Sequence, residues 1–240
     1  MIEIKNITKE YTFTKALDNV SLLVEKGQIH SLLGPNGSGK TTLIKSILGL
    51  TKPNSGEILI NEKSILNSWD YRKDIGYMAQ VAMYPENLTG RELLEMVTEI
   101  RQQSPVKKEE LIELLKFKNE LDKPLKTLSE GNKQKVNATM SLMFDQAILF
   151  LDEPTAGLDM VTSRELKKFL LKEKQLGKTI IFSSHVLYDI EELSDNIIIL
   201  LEGKLIFTGN KEKLYKESSK SELEDAIATL VELSRRVQND

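Results

Sequence analysis

An α/β fold is predicted for this 240-residue chain by three features of its sequence. An apolar strand at 28–33 runs straight into a glycine loop and then a helical pattern; strand-like runs at 147–151 and 179–182 flank a helical stretch at 164–174; and charged helical segments at 85–125 interrupt the strands. Taken in order, Ile2 and Ile4 alternate with polar neighbours, 20–24 forms a second apolar run, and Lys26-Gly27 supplies a turn before the strand at 28–33. Leu43, Ile44, Ile47 and Leu48 follow the glycine loop at helical spacing. The insertion carries Leu93, Leu94, Met96 and Val97 in one helix and Leu111, Ile112, Leu114 and Leu115 in another. The βαβ rhythm of 147–182 is that of a parallel sheet, and 197–201, Glu202-Gly203 and 205–208 form a closing hairpin. Ser221 and Glu224 stand in capping-box spacing before Leu223, Ala226, Ile227, Leu230 and Val231, which predicts a terminal amphipathic helix that packs on its own domain or meets a partner. No internal repeat and no low-complexity segment interrupts the pattern.

Composition narrows the function. A hydrophobic share of 40% with 29% charged residues is that of an ordinary globular protein. Lys+Arg 33 against Asp+Glu 36 leaves a net charge of −3, without the basic excess of a nucleic-acid binder, so no nucleic-acid partner is expected. With no cysteine there are neither disulfides nor thiolate metal sites, which suits a reducing compartment such as the cytosol. No apolar run approaches the roughly 20 residues that span a bilayer, and MIEIKNITKEY lacks a signal core, so the chain is not expected to cross a membrane by itself.

The residues that carry chemistry begin at Gly34. Gly34-Pro35-Asn36-Gly37-Ser38-Gly39-Lys40-Thr41 satisfies G-x-x-x-x-G-K-[ST] between a strand and a helix start. There the glycines let backbone N–H groups converge on a phosphate chain, the helix N-terminus adds a positive dipole end, Lys40 supplies a point charge, and the Thr41 hydroxyl is placed for Mg²⁺. Thr42 is either a further phosphate contact or only a helix residue. The apolar run at 147–151 ends in Asp152-Glu153-Pro154, which delivers two carboxylates to the C-terminal edge of a buried strand, where α/β sheets bind ligands. Asp152 can serve a metal shell and Glu153 can polarise an attacking water.

With these motifs in order, the sequence resembles the ATP-binding subunit of an ABC transporter over residues 1–210. Residues 34–42 match Walker A and 148–153 match Walker B with its catalytic glutamate. Leu128-Ser129-Glu130-Gly131-Asn132 holds the place of the LSGGQ signature, Gln80 that of the Q-loop glutamine, 156–159 that of the D-loop, His185 that of the switch histidine, and Tyr11 that of the aromatic that stacks on adenine. Glu130 and Asn132 depart from the signature, a change that exporter-type relatives tolerate; 77–80 and 84–92 also resemble exporter-type members. His30 and Trp69 match no element, and His30 is expected to be structural.

The resemblance implies a P-loop NTPase with a mainly parallel core sheet, an N-terminal antiparallel β subdomain, an inserted helical subdomain at about 85–135 and a short helical extension at 211–240. It implies ATP and Mg²⁺ as cofactors, with Tyr11 and residues Gly34 to Thr42 on the nucleotide and Thr41, Gln80 and Asp152 on the metal. It implies Glu153, His185, Gln80 and Asp159 in hydrolysis, with Ser129 and Gly131 reaching the nucleotide of a second ATP-binding subunit, identical or not. The expected activity is ATP hydrolysis that powers transport, in the export direction, by a separate integral membrane subunit, the chain lying peripherally at the cytoplasmic face. A soluble ABC ATPase uncoupled from transport, such as a scaffold ATPase of iron-sulfur cluster assembly, is the competing expectation.

Overall fold

The structure, a computed structural model, describes residues 1–66 and 68–239; Asp240, the last residue of the expected C-terminal extension, lies outside the described residues. In chain order the elements are β1 (Ile2–Tyr11), β2 (Thr14–Val24), β3 (Ile29–Leu33), α1 (Lys40–Ile47), β4 (Ser55–Ile60), β5 (Lys63–Ser64), β6 (Ile75–Met78), α2 (Gly90–Arg101), α3 (Lys108–Leu114), α4 (Glu130–Leu142), β7 (Ile148–Asp152), α5 (Met160–Gln175), β8 (Thr179–Ser183), α6 (Leu187–Leu193), β9 (Asn196–Leu201), β10 (Lys204–Gly209), α7 (Lys211–Ser218) and α8 (Leu223–Asn239). They divide into two compact units, one formed by 1–72 with 183 onward and the other by 73–182.

In the first unit, β2-β1-β4-β5 make an antiparallel sheet. Ile2 and Ile4 share a buried face by strict alternation, but Ile7 reaches the same face only because the register shifts between Ile4 and Ile7. Asn6 sits at that shift with φ 50, and its amide donates to Asn19 Oδ1 at 3.0 Å across the ladder. The bulge restores the inward side of the strand, since a one-residue slip would otherwise turn every following side chain outward. The other strands of this unit are β3, parallel to β9, and β10, antiparallel to β9. All five residues of β3 are buried, so its run is continuously apolar apart from His30 and Ser31. His30 is held by a 3.2 Å contact between Nε2 and the Glu25 carbonyl, and burial pushes its pKa down. The β9–β10 hairpin turns on Glu202 (φ 49) and Gly203 (φ 78), both left-handed as a two-residue type I′ turn requires.

The C-terminal helix corrects one expectation. α8 starts at Leu223 with Ala226 N donating to the Glu222 carbonyl at 3.0 Å, so Glu222, not Ser221, occupies the cap position. Leu223 and Ala226 are buried where α8 packs on α6, α7 and β10, while Leu233 is exposed further along.

In the second unit the strand order is β8-β7-β6, with β6 and β7 parallel in the register Ile75↔Ile148 to Met78↔Leu151. α4 lies against β6 and is fastened to it by polar bonds: Ser141 Oγ donates to the Tyr77 carbonyl at 2.9 Å and Asn137 Nδ2 to the Ala79 carbonyl at 3.0 Å. Tyr84 closes this group by donating to Asn137 Oδ1 at 2.7 Å. α2 opens with a capping box of Thr89 and Glu92. α3 packs on α4 and α5, and its cap residue Lys107 joins a buried ion cluster. There Lys107 pairs with Glu173 and, at 3.3 Å, with Asp145, while Lys178 pairs with the same two acids at 2.7 and 2.8 Å.

Candidate active site

The loop at 34–39 is shaped by close backbone approach. A Cβ on Gly34 would stand 2.1 Å from the Leu200 carbonyl, and one on Gly39 would stand 2.5 Å from that of Ala16; both glycines also have positive φ, at 146° and 104°. The β9–β10 turn braces the loop from outside, with Gly203 N donating to the Ser38 carbonyl at 3.0 Å and Asp18 N to the Gly203 carbonyl at 2.8 Å. Lys40 folds back over the loop, its ammonium donating to the Gly34 carbonyl at 2.6 Å and the Pro35 carbonyl at 3.1 Å. Gly39 caps α1 in a left-handed conformation, with no side-chain cap and no acid in the first turn. The dipole end of α1 is therefore offset by no side-chain cap and by no acid of its own first turn. Among the described residues Ser38 Oγ is buried without a hydrogen-bond partner, Thr41 is exposed on the first turn and Thr42 is half-buried beside it. A glycine cradle, a lysine, an unused hydroxyl and an uncapped helix start fit a phosphate chain.

Also in this unit, Tyr11 ends β1 half-exposed with Lys9 Nζ 5.0 Å from its ring centroid, and Phe13 at the hairpin tip is 97% exposed. His185 is exposed on the short link between β8 and α6, where Ser184 Oγ accepts from Val186 N at 3.0 Å.

In the second unit Asp152 ends β7 and Glu153 follows it, both buried. Burial and the Asp152 charge raise the Tyr77 pKa. Glu153 has φ 52, a left-handed conformation that costs a non-glycine residue about 1–2 kcal/mol. Its carbonyl is doubly engaged, accepting from Ala156 N at 3.1 Å and from Gln134 Nε2 at 3.0 Å; the same amide reaches the Pro154 carbonyl at 3.4 Å. Asp159 is the N-cap of α5, accepting from Thr162 N at 2.9 Å and Thr162 Oγ1 at 2.6 Å, and these bonds hold its carboxyl below the usual range.

The signature segment is the start of α4. Ser129 is its exposed N-cap and accepts from Asn132 N at 3.3 Å. A Cβ on Gly131 would lie 2.8 Å from the Gly157 carbonyl, so residues 131 and 157 touch backbone to backbone. Of the two departures, exposed Glu130 pairs with Lys133 at 2.8 Å, and Asn132 Nδ2 donates to Glu120 Oε2 at 3.4 Å. Gln80 is exposed at the end of β6 and lines a groove of about 350 Å³ with Val81, Met83, Tyr84, Glu86 and Lys133. The start of α4, which carries 129 and 131, is thus joined to the segment 153–159 within one unit. Gln134, which joins two of these segments, was not singled out by the sequence; only its position on the helix opened by Ser129 could have signalled it.

A phosphate cradle ahead of a helix, on a sheet with parallel pairing, defines a nucleotide-binding α/β protein. The chain belongs to the ABC transporter family, whose model matches residues 17–156. It is 35% identical over 213 residues to the bacitracin transport ATP-binding protein BcrA of Bacillus licheniformis, covering 86% of this chain and 68% of that one. It is 34% identical over 208 residues to the lantibiotic transport ATP-binding protein SrtF of Streptococcus pyogenes, covering 86% and 89%. Among solved structures, an ATP-binding subunit of an ABC transporter superposes with a TM-score of 0.88 at 27% identity, over 96% of this chain and 99% of that one. A dimeric ATP-binding cassette in a post-hydrolysis state with ADP and Pi superposes with a TM-score of 0.78 at 27% identity, over 88% and 98%. The chain is thus an ABC-type ATPase subunit with the P-loop NTPase fold. Among the described residues no helix is long and apolar enough to cross a membrane.

Proposed function

We propose that this chain hydrolyses MgATP as one of a pair of such subunits and powers export of a substrate through a separate integral membrane subunit, from a peripheral position at the cytoplasmic face. The cradle at 34–42 is the observation that carries this reading, because its uncapped helix start and unpartnered Ser38 hydroxyl are features that a phosphate chain would complete. On binding, Lys40 exchanges its two loop carbonyls for phosphate oxygens, and Tyr11 offers a half-exposed ring to the base. Thr41, Gln80 and Asp152 are oxygen donors of the kind Mg²⁺ takes alongside phosphate and water, and the ion when bound offsets charge on the transferred phosphoryl group. Glu153 holds the attacking water and takes its proton, His185 is assigned the role of the switch histidine, and Asp159 acts through the 156–158 segment that precedes the helix it caps. Ser129 and Gly131 address the nucleotide of the partner subunit, so a head-to-tail pair makes two sites. ATP held between the subunits favours the closed pair and its hydrolysis releases that contact, so the nucleotide state biases a two-state closure.

The groove beside Gln80 is the docking place we assign to the membrane subunit, since Val81 is 77% and Met83 91% exposed at its rim. Export is supported by the resemblance of 77–92 to exporter-type members. The test is sedimentation of the native protein with membranes, comparing wild type with Val81→Asp/Met83→Asp. Wild type should pellet with membranes and the variant should remain in the supernatant while still binding ATP; a wild type that never pellets would favour an ATPase uncoupled from transport.

A further inference from the structure

Gln134 takes no part in the chemistry assigned above, yet it is where two functional segments meet. Its amide is half-buried on α4 one turn beyond the Ser129 cap, and it donates to the carbonyls of both Glu153 and Pro154. Glu153 lies in the left-handed region, where a non-glycine residue persists only if its surroundings over-determine it. Two donors on one carbonyl, Ala156 N and Gln134 Nε2, provide that determination. The amide is itself fixed, because α4 is anchored to the strand β6 side by Asn137 and Ser141. A side chain on a rigid helix therefore sets the backbone from which the Glu153 carboxylate projects.

We propose that Gln134 is a positioning residue for Glu153: it holds the 153–154 turn in its strained conformation and transmits displacement of the Ser129–Gly131 segment to the carboxylate that acts on water. The inference rests on the reading of Glu153 as that base. It makes the signature segment report on two nucleotides, the partner's through Ser129 and its own subunit's through Gln134 and Glu153. Loss of the amide would leave the carboxylate present but misaimed, and misplacement of a reacting group by about 1 Å can cost up to about 10²-fold in rate.

The test is a double-mutant cycle on the full chain, with hydrolysis followed as phosphate release in single-turnover and steady-state assays. Gln134→Met keeps the length and removes the donor; it should lower kcat about tenfold and leave the KM for ATP within about twofold. In the Glu153→Gln background the same change should have no effect beyond about twofold, because there is no longer a base to aim. Gln134→Lys, which restores a donor to the same carbonyls, should recover kcat to within about threefold of wild type, an outcome that a packing role would not produce. An equal loss in both backgrounds, a loss confined to KM, or no recovery with lysine would overturn the proposal. If Glu153→Gln alone turns over like wild type, the assignment of the base itself has failed, and that arm shows it separately.

Discussion

Glu173 is the residue whose loss should cost this fold most outside its apolar core. Its side chain is 2% exposed and is shared by two ammonium groups, Lys178 at 8% and Lys107 at 12% exposure, both of which also pair with the largely exposed Asp145. Glu173→Ala leaves two poorly hydrated cations facing each other. Breaking a buried pair by removing one partner costs about 3–5 kcal/mol, and here the exposed Asp145, still paired with both lysines, offsets only part of the charge left behind. At about 2–4 °C per kcal/mol for a chain of this size, the melting midpoint should fall by about 6–20 °C. Because these residues tie the α3 cap to α5 and to the loops before β7 and β8, the loss should appear throughout the second unit. Urea unfolding by circular dichroism, with differential scanning calorimetry, measures it. The triple replacement of Lys107, Glu173 and Lys178 by Met should be destabilised less than Glu173→Ala, since exchanging a whole buried ion group for apolar volume is often close to neutral. A loss under about 1 kcal/mol for Glu173→Ala would refute the reasoning, since that is the worth of a solvent-screened surface pair.

Gly131→Ala should be destabilising by about 1–3 kcal/mol, the cost of overpacking, because the new methyl would meet the Gly157 carbonyl at 2.8 Å and backbone must shift to admit it; urea unfolding within 0.5 kcal/mol of wild type, where roughly ±0.5 is the span of neutral changes, would contradict this. His30 should make the fold acid-sensitive. Burial holds its folded pKa below the ordinary value, against smaller opposing effects of Glu25 and Asp195, so the unfolded chain takes up the proton first as pH falls. Its contribution is therefore complete above about pH 6.5 and is lost progressively below it, and His30→Gln should flatten the stability slope between about pH 6.5 and 5 in urea titrations.

The cradle at 34–42 was legible because each requirement falls on consecutive residues: strand, glycines, lysine, hydroxyl and helix start. Lys40 and Thr41 could be assigned from local chemistry alone. Glu153 was legible from the apolar strand before it, but its left-handed φ was not, since the bonds its carbonyl accepts include one from Gln134, nineteen residues earlier. The same holds for Gly131, whose constraint is the carbonyl of Gly157. β4 and β6 escaped the reading for a different reason: β6 is four residues long and contains Gly76, and β4 opens with Ser55-Gly56, so neither shows a periodicity that sets it apart from loop. Ser221 was misplaced as a cap because S-x-x-E spacing recurs wherever polar residues cluster, and backbone bonding started the helix one residue later.

The central claim is that hydrolysis in this chain runs through Lys40 and Glu153, and one comparison tests it: MgATP binding and phosphate release by wild type, Lys40→Ala and Glu153→Gln under identical conditions. The account predicts that Lys40→Ala loses most of both binding and turnover. It predicts that Glu153→Gln keeps near-normal ATP affinity while hydrolysing about 10² to 10⁴-fold more slowly, the range for a positioned general base, and that ATP then traps it as a dimer on size-exclusion chromatography. Equal turnover by all three proteins would contradict it.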